Sequence, residues 1–236
     1  GRAVRRNRGN DIPPWVYPVR DLRRGHIPDI GLGQTAAMAA ELPEIPVVAL
    51  ECGRVRVRPH NIAGDGTPML WWTLTSRTWT DWLPVYAFLV RHPDGDVLFD
   101  TGQSAQSLEP GYYPAGLIGW VFRRQAAFDV AEEDSLAARL AQAGSGLESI
   151  ALAAVSHLHQ DHAGNVPLLG STPVLVSAAE HALLSESNPA MHGVLAEHLG
   201  AAALAPVEFA LSDDPVLARF EGAYDVRGDG SLVLLP

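Results

Sequence analysis

Three histidines and one aspartate, His157, His159, Asp161 and His162, fall within six consecutive positions of this 236-residue chain. Imidazole nitrogen and carboxylate oxygen are natural zinc donors. His157 and His159 are two apart, so extended backbone turns both side chains the same way and the pair can hold one cation. Asp161 and His162 follow where the chain must turn, and can face a second cation beside the first. The competing reading is a surface loop that is merely polar. The apolar run from Ile150 to Val155 argues against it, because a short strand just upstream delivers the cluster to a sheet margin.

The elements that must position this cluster are legible around it. Val55 to Arg58 alternates apolar and charged residues, as a half-buried strand does. Residues 83–100 read as a hairpin: Leu83 to Val90, a turn at Asp94-Gly95, and a returning strand at Val97 to Asp100. Residues 103–128 are apolar yet irregular, equally a lid over a pocket or a covering loop. Asp129 with Glu132 forms a capping-box pattern that predicts a helix, with Leu136 and Leu140 on one face and Gly144 at its end. After the cluster come a strand at Pro173 to Val176, a second helix capped by Ser177 and Glu180, a short third one closed by Gly200, and a strand at Leu232 to Leu235. Strands alternating with helices, together with hairpins, indicate an α/β layered sandwich.

Composition removes several function classes. All 17 basic residues are arginine, which rules out a catalytic lysine, and the net charge of −10 argues against nucleic acid as a partner. The single cysteine, Cys52, reads as a small buried apolar residue rather than a nucleophile, and suits a reducing, cytoplasmic setting. No apolar run approaches a membrane span and no secretion signal is visible, so no membrane partner is expected. Residues 1–37 differ from the rest: seven arginines lie between Arg2 and Arg24, among Pro and Gly, without hydrophobic periodicity. They are expected to be a mobile arm, or sequence added ahead of a start at Met38, with one domain spanning 38–236.

Ser156-His157-Leu158-His159-Gln160-Asp161-His162-Ala163-Gly164-Asn165 resembles the His-x-His-x-Asp-His signature of the metallo-β-lactamase superfamily, and Phe99-Asp100-Thr101-Gly102 resembles the Asp-Thr-Gly segment that the superfamily carries after its early hairpin. The wording of Pro84 to Gly102 and of Ile150 to Asn165 is most similar to the N-acyl homoserine lactonase-like branch. The resemblance spans about residues 47–236. It implies an αββα sandwich holding two zinc ions, with His157 and His159 on the first ion and Asp161 and His162 on the second. A metal-held hydroxide would attack a carbonyl carbon of a small-molecule substrate, a lactone above all, in the manner of a quorum-quenching enzyme. Asp161 would also pass a proton to the leaving group. Asp100 would orient ligands from beneath the site, and Gly102 and Gly164 would permit tight backbone. Another ester, a thioester, a β-lactam or a phosphoester is the alternative substrate class.

The family takes a third histidine for the first ion, an aspartate bridging both ions and a final histidine for the second. All three lie downstream of a strand like Leu232 to Pro236. His181, His192 and His198 stand in no matching context and read as helix-surface histidines. The sequence is therefore expected to be a fragment, incomplete at its C-terminal side. The alternative is a degenerate homologue acting as a binding or scaffold module.

Overall fold

The computed structural model describes residues 45–236, and the expectations for residues 1–37 lie outside the described residues. Seven strands form one mixed sheet: β1 (Val47–Val57), β2 (Leu83–Val90), β3 (Asp96–Phe99), β4 (Ala126–Asp129), β5 (Ile150–Ala154), β6 (Val174–Ser177) and β7 (Leu204–Val207). Their order is β4-β1-β2-β3-β5-β6-β7. The half from β4 to β3 is antiparallel, whereas β3, β5, β6 and β7 run parallel. A two-stranded ribbon, β8 (Tyr224–Asp225) with β9 (Val233–Leu234), stands apart from this sheet. Among the described residues, five α-helices accompany them: α1 (Met69–Thr75), α2 (Gly116–Gln125), α3 (Leu136–Gln142), α4 (Gln160–Ala163) and α5 (Ala178–Ala182). The α/β layered expectation agrees with this architecture.

Strand alternation divides the apolar residues between two faces. Leu89, Leu98, Ala153, Val174 and Val176 join Leu136 and Leu140 of α3 in the main core. Phe99, Leu152, Ala154, Leu175 and Val207 point the other way, where Phe209, Tyr224, Val226 and Leu234 cover part of the surface. That second face retains an apolar cavity of about 750 Å³, bordered by Phe88, Phe99, Leu175, Phe209 and Leu234. Among the described residues, no helix is long and apolar enough to cross a membrane.

Two local expectations need correction. Asp129 does not cap α3. It lies in β4, opposite Arg54 of β1, and ion-pairs with that arginine at 2.5 Å. The cap is Ser135, whose hydroxyl accepts from the Ala138 N–H, and Glu132–Asp134 form a separate 3₁₀ turn ahead of it. An Asp-x-x-Glu pattern cannot register that a neighbouring strand has claimed its first residue. Nor are residues 103–128 irregular throughout, since they contain α2 and begin the edge strand β4. The first seven residues of α2, Gly116–Phe122, carry no polar side chain, so periodicity did not reveal it. Its Arg124 reaches across to the Thr73 and Ser76 carbonyls at the end of α1, a tertiary contact invisible in a local window.

Candidate metal centre

β3 and β5 are parallel neighbours, with Phe99 opposite Ala154, so both chains leave the sheet side by side at their C-terminal ends. Ligand sites of open parallel sheets gather at such ends. The Asp100 N–H donates to the Ala154 carbonyl at 2.8 Å, and Asp100 then turns with φ +59°, a left-handed conformation uncommon outside glycine. This turn drives its buried carboxylate under the histidine loop. There it accepts from the Ser156 N–H at 2.7 Å and from the Ser156 hydroxyl at 3.1 Å, and it lies 2.8 Å from His162 Nδ1. Thr101 donates from its N–H and its hydroxyl to the His162 carbonyl, at 2.7 and 2.8 Å. A methyl group on Gly164 would sit 2.8 Å from the Gly102 carbonyl oxygen, so these two segments touch backbone to backbone. Gly102 itself has φ +68°.

The rings gather above this base. His157 and His162 have centroids 4.1 Å apart, and His157 and His159 4.5 Å apart. The Asp161 carboxylate lies 3.8 Å from His162 Nε2. Residues 155–158 are loop rather than strand, so loop geometry and not pleat alternation aims His157 and His159.

The hydrogen bonds fix which nitrogen of each ring is free. His162 Nδ1 faces a carboxylate, which accepts only, so Nδ1 carries the proton and Nε2 keeps its lone pair. The Ser156 hydroxyl gives its one proton to Asp100, so it accepts from His157 Nδ1 at 3.0 Å and leaves His157 Nε2 bare. His159 Nε2 faces the His192 carbonyl at 3.0 Å and must donate, which leaves His159 Nδ1 bare. Three imidazole lone pairs and a carboxylate are thus left uncommitted, each ring oriented by a partner on its other nitrogen. Metal-binding histidines are held in this way. The donor set fits a zinc-type cation in chemistry. In number it is short: among the described residues, no group of three His, Cys, Asp or Glu side chains is arranged to hold one ion.

Electrostatics separate two of the rings, one toward the neutral form and one toward the charged form. Burial, reinforced by the neighbouring His162 and His159, holds His157 below the ordinary imidazole range and so keeps it neutral. For His162, burial pulls downward. The hydrogen bond to Asp100 and the charges of Asp161 and Asp100 outweigh it, and the net shift is upward.

Several contributors carry no signature in the sequence. Glu180 of α5 accepts from the Leu158 N–H at 3.0 Å and ties down the loop between the first two histidines. The His192 carbonyl and Gly193 sit against His159. Backbone groups have no sequence signal, and Glu180 read only as part of a helix cap. His192 is exposed, His181 is half-buried on α5, and neither side chain joins the cluster. His198 corrects the helix-surface expectation, for it stacks on Tyr112 with ring centroids 4.0 Å apart and contacts the Tyr112 carbonyl at 2.7 Å.

Two serine–histidine–aspartate groupings are not nucleophile triads. Ser156 and Asp100 both address the same His162 nitrogen, so the ring has no second nitrogen turned toward the serine. The buried His92 accepts from the Asp94 N–H at Nδ1, which makes Nε2 the donor toward Ser231, the reverse of a general base.

Beside the cluster lies a cleft of about 490 Å³. His159, Gln160, Asp161 and Gly193 form one side of it, and Val55, Val57, Leu83, Phe122 and Phe128 supply an apolar wall.

The chain is 31% identical over 134 residues to N-acyl homoserine lactonase AiiB of Agrobacterium fabrum, a match covering 56% of this chain and 47% of that protein. It is 31% identical over 100 residues to an N-acyl homoserine lactonase of Bacillus cereus, covering 42% and 38% respectively. The matched stretch is thus less than half the length of either relative. Among solved structures, an N-acyl homoserine lactone hydrolase with the product N-hexanoyl-L-homoserine at its catalytic metal centre superposes with a TM-score of 0.57 at 20% identity, over 76% of this chain and 61% of that one. A likeness at that identity speaks for the fold. The profile of the metallo-beta-lactamase superfamily matches residues 80–234, most of the described chain and all of the histidine cluster, and the chain therefore belongs to that superfamily.

Proposed function

We propose that this chain carries the metal-binding half of a zinc-dependent hydrolase that opens a lactone ring of the N-acyl homoserine lactone type. The carrying observation is the hydrogen-bond network that leaves His157 Nε2, His159 Nδ1 and His162 Nε2 bare, with the Asp161 carboxylate 3.8 Å from His162 Nε2. In this reading His157 and His159 hold one ion, and Asp161 and His162 hold the second. Bound zinc supplies a water whose pKa lies near 7 and polarises the substrate oxygen. Asp100, through Ser156 and His162, keeps two of the rings in the receptive tautomer. The Asp161 carboxylate would take up the proton that the attacking water releases and hand it to the leaving oxygen. The apolar wall from Val55 to Phe128 receives an acyl chain and sheds water from it. The lactonase relatives support this substrate class over the β-lactam, thioester and phosphoester alternatives.

Catalytic zinc sites use three protein ligands, and this set provides two per ion. The proposal therefore includes further ligands from other residues of the complete protein. Residues 38–236 are read as one domain and 1–37 as an extension, in a cytoplasmic setting suited to a lone buried cysteine. The reading is tested on zinc-loaded protein with a panel of acyl homoserine lactones, β-lactams, thioesters and phosphodiesters. Lactone turnover that disappears in His159→Ala is the expected result. Turnover of β-lactams without lactones would reverse the assignment. The shortage of convergent donors favours a second reading, a binding module without turnover. Elemental analysis of the complete protein separates the two, with close to two ions per molecule expected for the hydrolase and few for the module.

A further inference from the structure

The turn that faces His159 is built around that ring. Pro189–His192 form a 3₁₀ turn, which Gly193 closes in the left-handed conformation at φ +82°. Its N–H donates to the Ala190 carbonyl at 3.1 Å, and the Val194 N–H to the Pro189 carbonyl at 3.2 Å. The next two residues, Val194 and Leu195, are buried and anchor the turn in the core. Val194 also forms an isolated antiparallel bridge with His159, so the backbones of the two segments are paired.

Within this frame the imidazole of His159 lies directly over the Gly193 Cα. A β-carbon at position 193 would meet the ring, with Cδ2 at 2.6 Å and Cε1 at 3.2 Å. Real side chains do not tolerate such an approach, and the neighbour here is a flat ring already bonded to the His192 carbonyl. Glycine is therefore required twice at this point, once for the backbone angle and once for the space above it. The second requirement concerns the candidate metal centre alone.

We infer that Gly193 is a positioning residue for His159: its bare Cα lets the ring settle on the turn, where the His192 carbonyl accepts the Nε2 hydrogen bond and leaves Nδ1 with its lone pair. Any side chain at 193 lifts the ring, breaks that hydrogen bond and releases the tautomer. The inference rests on the reading of His159 as a metal ligand, and extends it to a turn outside the family motif.

The test uses the full 236-residue chain. Gly193→Ala introduces both strain and contact. Gly193→Asn isolates the contact, because Asn accepts the left-handed angle. Met191→Ala, exposed in the same turn, is the control. Zinc affinity is read by competition with a chromophoric chelator, and the His159 tautomer by ¹⁵N–¹H correlation NMR on metal-free protein. The expected result is a 10- to 100-fold loss of zinc affinity in both Gly193 variants, the range found when outer-shell partners of a metal-binding histidine are removed. Met191→Ala should bind as the parent does. The parent His159 should carry its proton on Nε2, and Gly193→Asn should lose that preference. A folded Gly193→Asn with parental affinity and tautomer, or a parent protonated at Nδ1, overturns the inference. If the parent binds no zinc, the tautomer measurement alone decides whether Gly193 positions the ring.

Discussion

At the scale of single residues, the site depends on groups that accept without donating. The Asp100 carboxylate and the His192 carbonyl each remove one proton option from a histidine, and Ser156 passes the effect of Asp100 to His157. Asp100 takes up an uncommon backbone angle to do this, and its three contacts with Ser156 and His162 offset the strain. Cys52 illustrates the opposite situation. It is fully buried beneath Gly102, and burial pushes its thiol up to about 12. At pH 8 it is therefore protonated and unreactive. Folded protein should not react with a disulfide reagent over an hour, whereas protein in denaturant should react with one equivalent within minutes. Rapid labelling of the folded chain would contradict the placement of Cys52 in the core.

At the scale of elements, the centre is a junction of short pieces. The one-turn α4 is held to the Asp100–Gly102 segment by Thr101, and α5 holds the histidine loop through Glu180. Helices this short have little stability of their own, so caps and tertiary contacts decide whether they form. The two acidic or hydroxyl residues that compete as the cap of α3 make this testable. Ser135→Ala should lower stability by about 1 kcal/mol, as loss of a cap does. Asp129→Ala should cost less, roughly 0–1 kcal/mol, because it removes only an exposed ion pair with Arg54. Urea denaturation of both variants measures the difference, and a larger loss at Asp129 would restore the capping-box reading.

At the scale of the whole molecule, the parallel half of the sheet brings Asp100 and the histidine cluster out at one margin. A cation held there binds the folded state only, since the unfolded chain has no pre-formed centre. Added zinc should therefore raise the melting temperature, by an amount set by about 2.7 kcal/mol when free zinc is a hundredfold above its dissociation constant. A chelator should reverse the rise. Melting curves with and without zinc check this, and identical curves at saturating zinc would show that the four residues hold no ion in the native state.

What the sequence determined by itself was the inventory. The hairpin at 83–100, the strand at 150–154 and the four chemical residues at 157–162 were legible because they follow local rules: alternation, turn residues and donor spacing. What only the tertiary structure decided was partnership. Asp129 fits a helix cap equally well until β1 pairs with it, and the Arg124 contacts that tie α2 to α1 are invisible in a local window. The tautomers of His157, His159 and His162 depend on Asp100, Ser156 and the His192 carbonyl, up to 62 positions away along the chain. Gly193 has no chemistry of its own to notice. A hydrogen bond or a clash is a property of two places at once, and short windows of sequence hold only one of them.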